Sequence, residues 1–161
     1  IGAASEGGRD VIEGVLVQPL QMKTDERGRL AELFRADVPG TPAFGQVHLT
    51  TLHPGVVKAW RRHSRRTDAL AVVSGMVRLG LYDGREESPT SGELRQFFLG
   101  DHSPLRVVVP PGVWFGLKGI GPAEALVVVL TDAPYDAKDP DEERWDPDVN
   151  DIPFDWERRH R

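Results

Sequence analysis

The fold this sequence predicts is all-β, a double-stranded jelly roll, and three observations predict it. Apolar runs are short, rich in β-branched residues and closed by Gly, Pro, Asp or Asn. No window of helical length shows a clean 3.6-residue apolar period. So many short strands in a chain of 161 residues would leave long open edges unless the sheet closes or doubles into a sandwich.

The elements follow in order. The start, IGAASEGGRD, has no initiator Met and no basic-then-apolar leader pattern, so residues 1–13 are expected to form a trimmed or flexible arm. The runs GVLVQPLQMK, GRLAELFRA, GQVHLTTLH, GVVKAWRRH, ALAVVSGMVRLGLYDG, GELRQFFLG, LRVVVPPGVWFGLKG and AEALVVVLTDAP then give about eight to ten strands. Short helical turns are expected only near 86–90 or 140–145. The closing stretch DAPYDAKDPDEERWDPDVNDIPFDW is rich in Pro and Asp and poor in β-branched residues. It reads as ordered coil draped over the barrel, with Trp145, Phe154 and Trp156 as pins. One jelly-roll domain over 14–156 with a tail at 157–161 is the expected organisation.

Composition excludes several classes. A formal charge of -5 argues against general nucleic-acid binding, because a protein that tracks phosphates carries a basic surplus. The longest apolar run, 125–130, is far below the roughly 18 residues of a membrane span, so no membrane partner is expected. With no cysteine there is no thiol nucleophile, zinc-thiolate site or disulfide framework, which suits a reducing, cytoplasmic compartment.

The chemistry-bearing residues concentrate at 55–75, GVVKAWRRHSRRTDALAVVSG, where Lys58, four arginines, His63 and Asp68 lie between two apolar runs. Isolated cations are expensive to bury, so this strand must face water or an anionic ligand. Jelly rolls often hold a metal through converging histidines, but His63 has no histidine two residues away. The PPGVWFG turn presents Trp114 and Phe115, and His48 and His53 fit no ligand spacing, so no metal is expected. No G-x-S-x-G elbow, P-loop or dinucleotide fingerprint is present. What remains is Asp25-x-Arg27-Gly28 with Glu32 beyond it, Gln46 and His48 on one strand, and the basic strand from Lys58 to His63. Alternation puts Gln46, His48 and Thr50 on one face, and Arg61 and His63 together on one face of theirs. The plainer alternatives are an exposed Arg27–Glu32 pair, a buried Gln46–His48 hydrogen-bonded pair, a solvated loop at 61–66, and Trp60, Trp114 and Phe115 as core.

The succession DERGRLAELF, FGQVHLT, GVVKAW, VVSGMVRLGLYDGREESPTSGE, VVVPPGVWFGLKG and ERWDPDVNDIPFDW resembles the dTDP-4-dehydrorhamnose 3,5-epimerase family, over roughly residues 14–156. The resemblance implies a metal-free jelly roll without cofactors, a homodimer that exchanges an N-terminal strand, and a nucleotide-sugar ligand epimerised beside its ketone through an enolate. Such chemistry needs a base of suitable pKa, a cation at the enolate oxygen and an acid on the other face. By the family's motifs, Arg27 contacts the diphosphate, Glu32 and Gln46, with His48 beside them, hold the nucleotide, and Lys58 stands near the phosphates or ketone. Laid on the family's catalytic strand, Arg61 takes the position of the base histidine, with His63 one strand period further on the same face. Asp68 falls where the family has a lysine, and Tyr135 is the nearest tyrosine to the acid's position. An arginine, with a pKa above about 12, is no base at neutral pH. His63 is therefore the expected base, with Lys58 or Arg61 clamping the enolate. The alternative is a catalytically silent cupin that binds a nucleotide sugar.

Overall fold

The computed structural model describes residues 11–157. Among them it contains twelve strands and no helix, and no helix is long and apolar enough to cross a membrane. The segment 1–10 of the expected arm and 158–161 of the expected tail lie outside the described residues. Residues 85–92 form successive turns, and 140–145 holds a two-residue strand, so neither stretch makes the helical turn expected of it.

Two five-stranded antiparallel sheets face each other. In the first, β1 (Leu16–Pro19), β9 (Leu105–Val109), β6 (Asp68–Ser74), β11 (Ala125–Thr131) and β4 (Gln46–Leu52) lie in that order. The second runs β12 (Glu143–Arg144), β5 (Val57–Arg62), β10 (Val113–Gly119), β7 (Met76–Asp83) and β8 (Leu94–Gly100). A separate hairpin joins β2 (Met22–Asp25) to β3 (Gly28–Ala31). The strand total exceeds the sequence expectation because one apolar run, GVLVQPLQMK, breaks at Pro19 into β1 and β2, and because β12 is too short to carry a pattern.

Alternation along each strand builds three apolar layers. Inward residues such as Leu70, Val72, Val77, Leu79, Val127 and Val129 fill the space between the sheets. Ile12 is only 1% exposed and belongs to this layer, so the packed domain starts before residue 14. Outside the first sheet, Ala69, Val108 and Leu130 lie under Phe34. Outside the second, Trp60, Trp114, Ile152 and Trp156 form a core of their own with Phe154, beneath the C-terminal coil. That coil seats closely because Gly80 and Gly116 present no side chain: a Cβ on Gly116 would lie 2.4 Å from the Ala59 Cβ and 2.8 Å from the Trp156 ring. The Trp145 ring stacks on Trp114 with centroids 4.3 Å apart, and Lys118 donates from Nζ to the Trp156 carbonyl. Trp60 and Trp114 are thus core, as the plainer reading had it.

The D-x-R-x-x-S-P-T stretch after β7 folds around one carboxylate. Asp83 is fully buried and accepts from Arg85 Nε at 2.8 Å and Nη2 at 2.9 Å, and from the Ser88 and Thr90 hydroxyls at 2.6 Å each. Arg85 Nη2 also donates to the Glu13 carbonyl, and the Glu13 amide donates to Thr90 Oγ1, which ties the entry of the chain to this knot.

Candidate functional site

The two sheets leave a cavity of about 290 Å³ at one end of the inner layer. Strand β4 turns Gln46, His48 and Thr50 into it, β6 contributes Asp68 and Leu70, and β10 contributes Phe115 and Leu117. From β5 and the turn after it come Arg61, His63 and Arg66. The coil after β11 closes the mouth with Tyr135, Glu142 and Arg144. This wall holds Gln46, His48, Arg61, His63 and Tyr135 together, five of the expected site residues.

Lys58 reaches the same side by an irregularity. Strict alternation would send it to the face opposite Arg61, but β5 slips register against β10, where Phe115 pairs with Arg61 and Leu117 with Lys58. The bulge brings Lys58 to the β4 side, where its Nζ donates to Thr50 Oγ1 at 3.0 Å, but the side chain stays exposed and is not part of the cavity lining. The rest of the basic segment divides. Arg62 faces outward, over Trp114 at 4.6 Å and paired to Glu143 at 2.6 Å, and Arg65 pairs with Asp139 at the surface. Arg27 and Glu32 are not brought to the cavity: Arg27 is 86% exposed and pairs with Asp25, and Glu32 pairs with Arg35.

His63 is the most constrained group. Its Nδ1 lies 2.6 Å from the Asp141 carbonyl and its Nε2 lies 3.0 Å from Asp68 Oδ2. A carbonyl only accepts, so Nδ1 carries the proton, and a carboxylate at Nε2 favours a second one there. Burial pushes the imidazole down, but the Asp68 hydrogen bond and charge and the Asp141 carbonyl outweigh it, and its pKa lies above the ordinary value. Held this way, both ring nitrogens of His63 are turned to protein acceptors rather than to a substrate, which is the physical obstacle to the base role expected of it. The sequence did not mark Asp68 as its partner, because the residue sits at the position of the family's lysine. An acidic residue opening an otherwise apolar strand five positions after a histidine was the available signal.

Asp141 organises the turn behind His63. Its carboxylate accepts from the Ser64 hydroxyl and from the amides of Ser64, Arg65 and Arg66 at 3.0–3.1 Å, and these bonds overcome burial to hold its pKa down to about 2. Arg66 donates to the Pro140 carbonyl at 2.7 Å, and its Nε lies 3.8 Å from Asp141. At the mouth, Glu142 receives Arg144 Nε at 2.6 Å and lies 3.5 Å from Arg61 Nε. Burial raises the Glu142 pKa, but the two guanidinium groups prevail and it is held below the usual carboxylate range. Among the described residues no group of three or more His, Cys, Asp or Glu is arranged to hold a metal ion.

The sign of the His63 shift gives a pH prediction. A raised folded pKa contributes stability that is fully present below the unfolded value of about 6.5 and is lost as pH rises through the folded value. Asp68→Asn should bring the His63 titration, followed by ring NMR, below its wild-type midpoint. It should also remove about 1–3 kcal/mol of stability at acid pH, with a smaller loss at alkaline pH.

Residues 23–143 match the family described as the polysaccharide biosynthesis C-terminal domain. The chain belongs to this family. A probable low-salt glycan biosynthesis epimerase of Haloferax volcanii, Agl13, is 40% identical over 149 residues, covering 90% of this chain and 94% of the relative. Among solved structures, a dTDP sugar isomerase from Desulfovibrio desulfuricans superposes with a TM-score of 0.85 at 38% identity, covering 90% of this chain and 92% of that one. A dTDP-4-dehydrorhamnose 3,5-epimerase from Bacillus anthracis shares the fold, with a TM-score of 0.78 at 19% identity over 88% of this chain and 84% of its own. The jelly roll and the epimerase kinship that the sequence motifs implied are both borne out. This member of the family shares its fold with solved dTDP-sugar isomerases and epimerases.

Proposed function

We propose that this protein is an epimerase of a nucleotide-diphosphate-linked 4-keto-6-deoxy sugar, with dTDP as the nucleotide, acting at one or both carbons beside the ketone through an enolate. One observation carries the reading: a chain with these two relatives gathers imidazoles, guanidinium groups and a buried carboxylate around a cavity inside its barrel. Removing a proton beside a carbonyl leaves charge on the oxygen, and preorganised cations in a partly dry cavity stabilise that charge. Lys58 and Arg61 are the cations at hand. The His63–Asp68 pair is a fixed charged wall beside them, and Tyr135, whose amide is held by Gln46 Oε1 at 2.8 Å, supplies the returning proton.

The working unit in this proposal is a cytoplasmic homodimer. Phe44, Val47 and Leu49 leave apolar surface on and beside the free edge strand β4, with Phe44 77% exposed, and a second copy would cover it. The same pairing lets the β2–β3 hairpin, too exposed to serve its own cavity, carry Arg27 and Glu32 toward the diphosphate in its neighbour's. Silent binding is the second reading, favoured by the two occupied nitrogens of His63.

The test is incubation with a dTDP-4-keto-6-deoxy sugar in deuterated water, with thermal unfolding measured in parallel. Epimerisation predicts a raised melting temperature and deuterium beside the ketone. A raised melting temperature without deuterium selects the silent binder, and no shift with any sugar nucleotide overturns both.

A further inference from the structure

Resting on the epimerase reading, we propose that His48, on β4, is the general base that takes the proton from the sugar carbon. The cavity has few groups able to accept one. His63 has both nitrogens engaged, and Asp68 is committed to His63. Glu142 lies between two guanidinium groups, which weaken it as a base. His48 differs from all three. It lines the cavity from β4, in the sheet facing the strand that leads to His63, and is half-buried, and among the described residues its ring makes no hydrogen bond or ion pair. Burial, aided by Arg61, Arg66 and His63 against the pull of Asp68, lowers its pKa, so it is neutral at pH 7 with a lone pair to offer. The fixed positive charge of its surroundings thus has a use: it keeps this imidazole, unengaged among the described residues, basic in form.

The step balances without a further reactant. The C–H bond beside the ketone breaks, the proton passes to a His48 nitrogen, and the bonding pair forms the C=C bond. The carbonyl pair moves onto oxygen, beside Lys58 and Arg61. Tyr135 then protonates the carbon on its other face as the pairs return, and water exchanges the protons of His48 and Tyr135. On sequence grounds His48 is expected to bind substrate, and its place in β4, paired with Val129 of β11 and between Gln46 and Thr50 in the lining, puts it among the cavity's polar groups.

The experiment compares wild type with His48→Gln and His48→Ala, using a dTDP-4-keto-6-deoxy sugar in deuterated water. The proposal expects His48→Gln to lose about 100-fold or more of the deuterium uptake while keeping the ligand-induced rise in melting temperature, and free imidazole to restore part of the uptake to His48→Ala. Uptake by His48→Gln at the wild-type rate overturns the assignment. Loss of the thermal shift together with uptake also overturns it, making His48 a binding residue. Absence of uptake in wild type fails the epimerase reading itself, a result distinct from either.

Discussion

Replacing Asp83 by alanine is expected to cost about 3–5 kcal/mol and to be the most damaging single change outside the cavity. The carboxylate has no solvent exposure, and its loss strands Arg85 and two hydroxyls at once while releasing the hold on Glu13. Denaturant unfolding should show a lower midpoint with an unchanged slope, the mark of lost stability rather than altered compactness. The pH dependence follows from the same bonds. Burial alone would raise the Asp83 pKa, but Arg85, Ser88 and Thr90 reverse this and depress it. A depressed carboxylate contributes stability above its unfolded value of about 3.9 and loses it as pH falls toward the folded one. The wild type should therefore weaken steeply in acid, and Asp83→Ala should lack that part of the slope.

Asp141→Ala is expected to cost about 2–4 kcal/mol and to reduce turnover as well, because one side chain holds the 64–66 turn that shapes the cavity wall. Its backbone adds to the cost. Asp141 has φ +47°, a left-handed conformation that Asn and Asp tolerate better than Ala. Asp141→Asn should be clearly milder, since it keeps an acceptor oxygen and suits the backbone. The comparison separates the hydrogen bonds from the conformation: equal damage in the two variants would show that the carboxylate's charge dominates.

Much of the fold was legible because it rests on local signals. Strand punctuation by Gly, Pro and Asp identified the jelly roll, and the aromatic pins of the C-terminal coil were visible at Trp145, Phe154 and Trp156. The cavity was legible where alternation holds, as at Gln46, His48, Arg61 and His63. Alternation alone does not give the side on which Lys58 lies, which is set by a bulge in β5 that leaves no sequence mark. Nor was the role of Asp141 visible, because its contacts reach back about 75 residues from a coil with no periodicity. Asp68 was misread for a different reason: a family alignment position described which residue was absent rather than what the new residue could do. Arg27 and Glu32 are exposed, as the plainer alternative has them, but they do not form the pair it expects: Arg27 bonds Asp25 and Glu32 bonds Arg35, partners two and three residues away that no strand pattern marks.

Anchoring and cavity lining fall on different parts of the C-terminal coil. Its anchors, Trp145, Ile152 and Trp156, grip the outside of the second sheet, whereas Tyr135, Glu142 and Arg144 form the cavity mouth. Anchoring is thereby separated from the cavity mouth along the chain. Between the fixed points at Tyr135, Pro140, Asp141 and β12, the stretch from 133 to 144 can change side chains while the barrel and its inner apolar layer stay as they are.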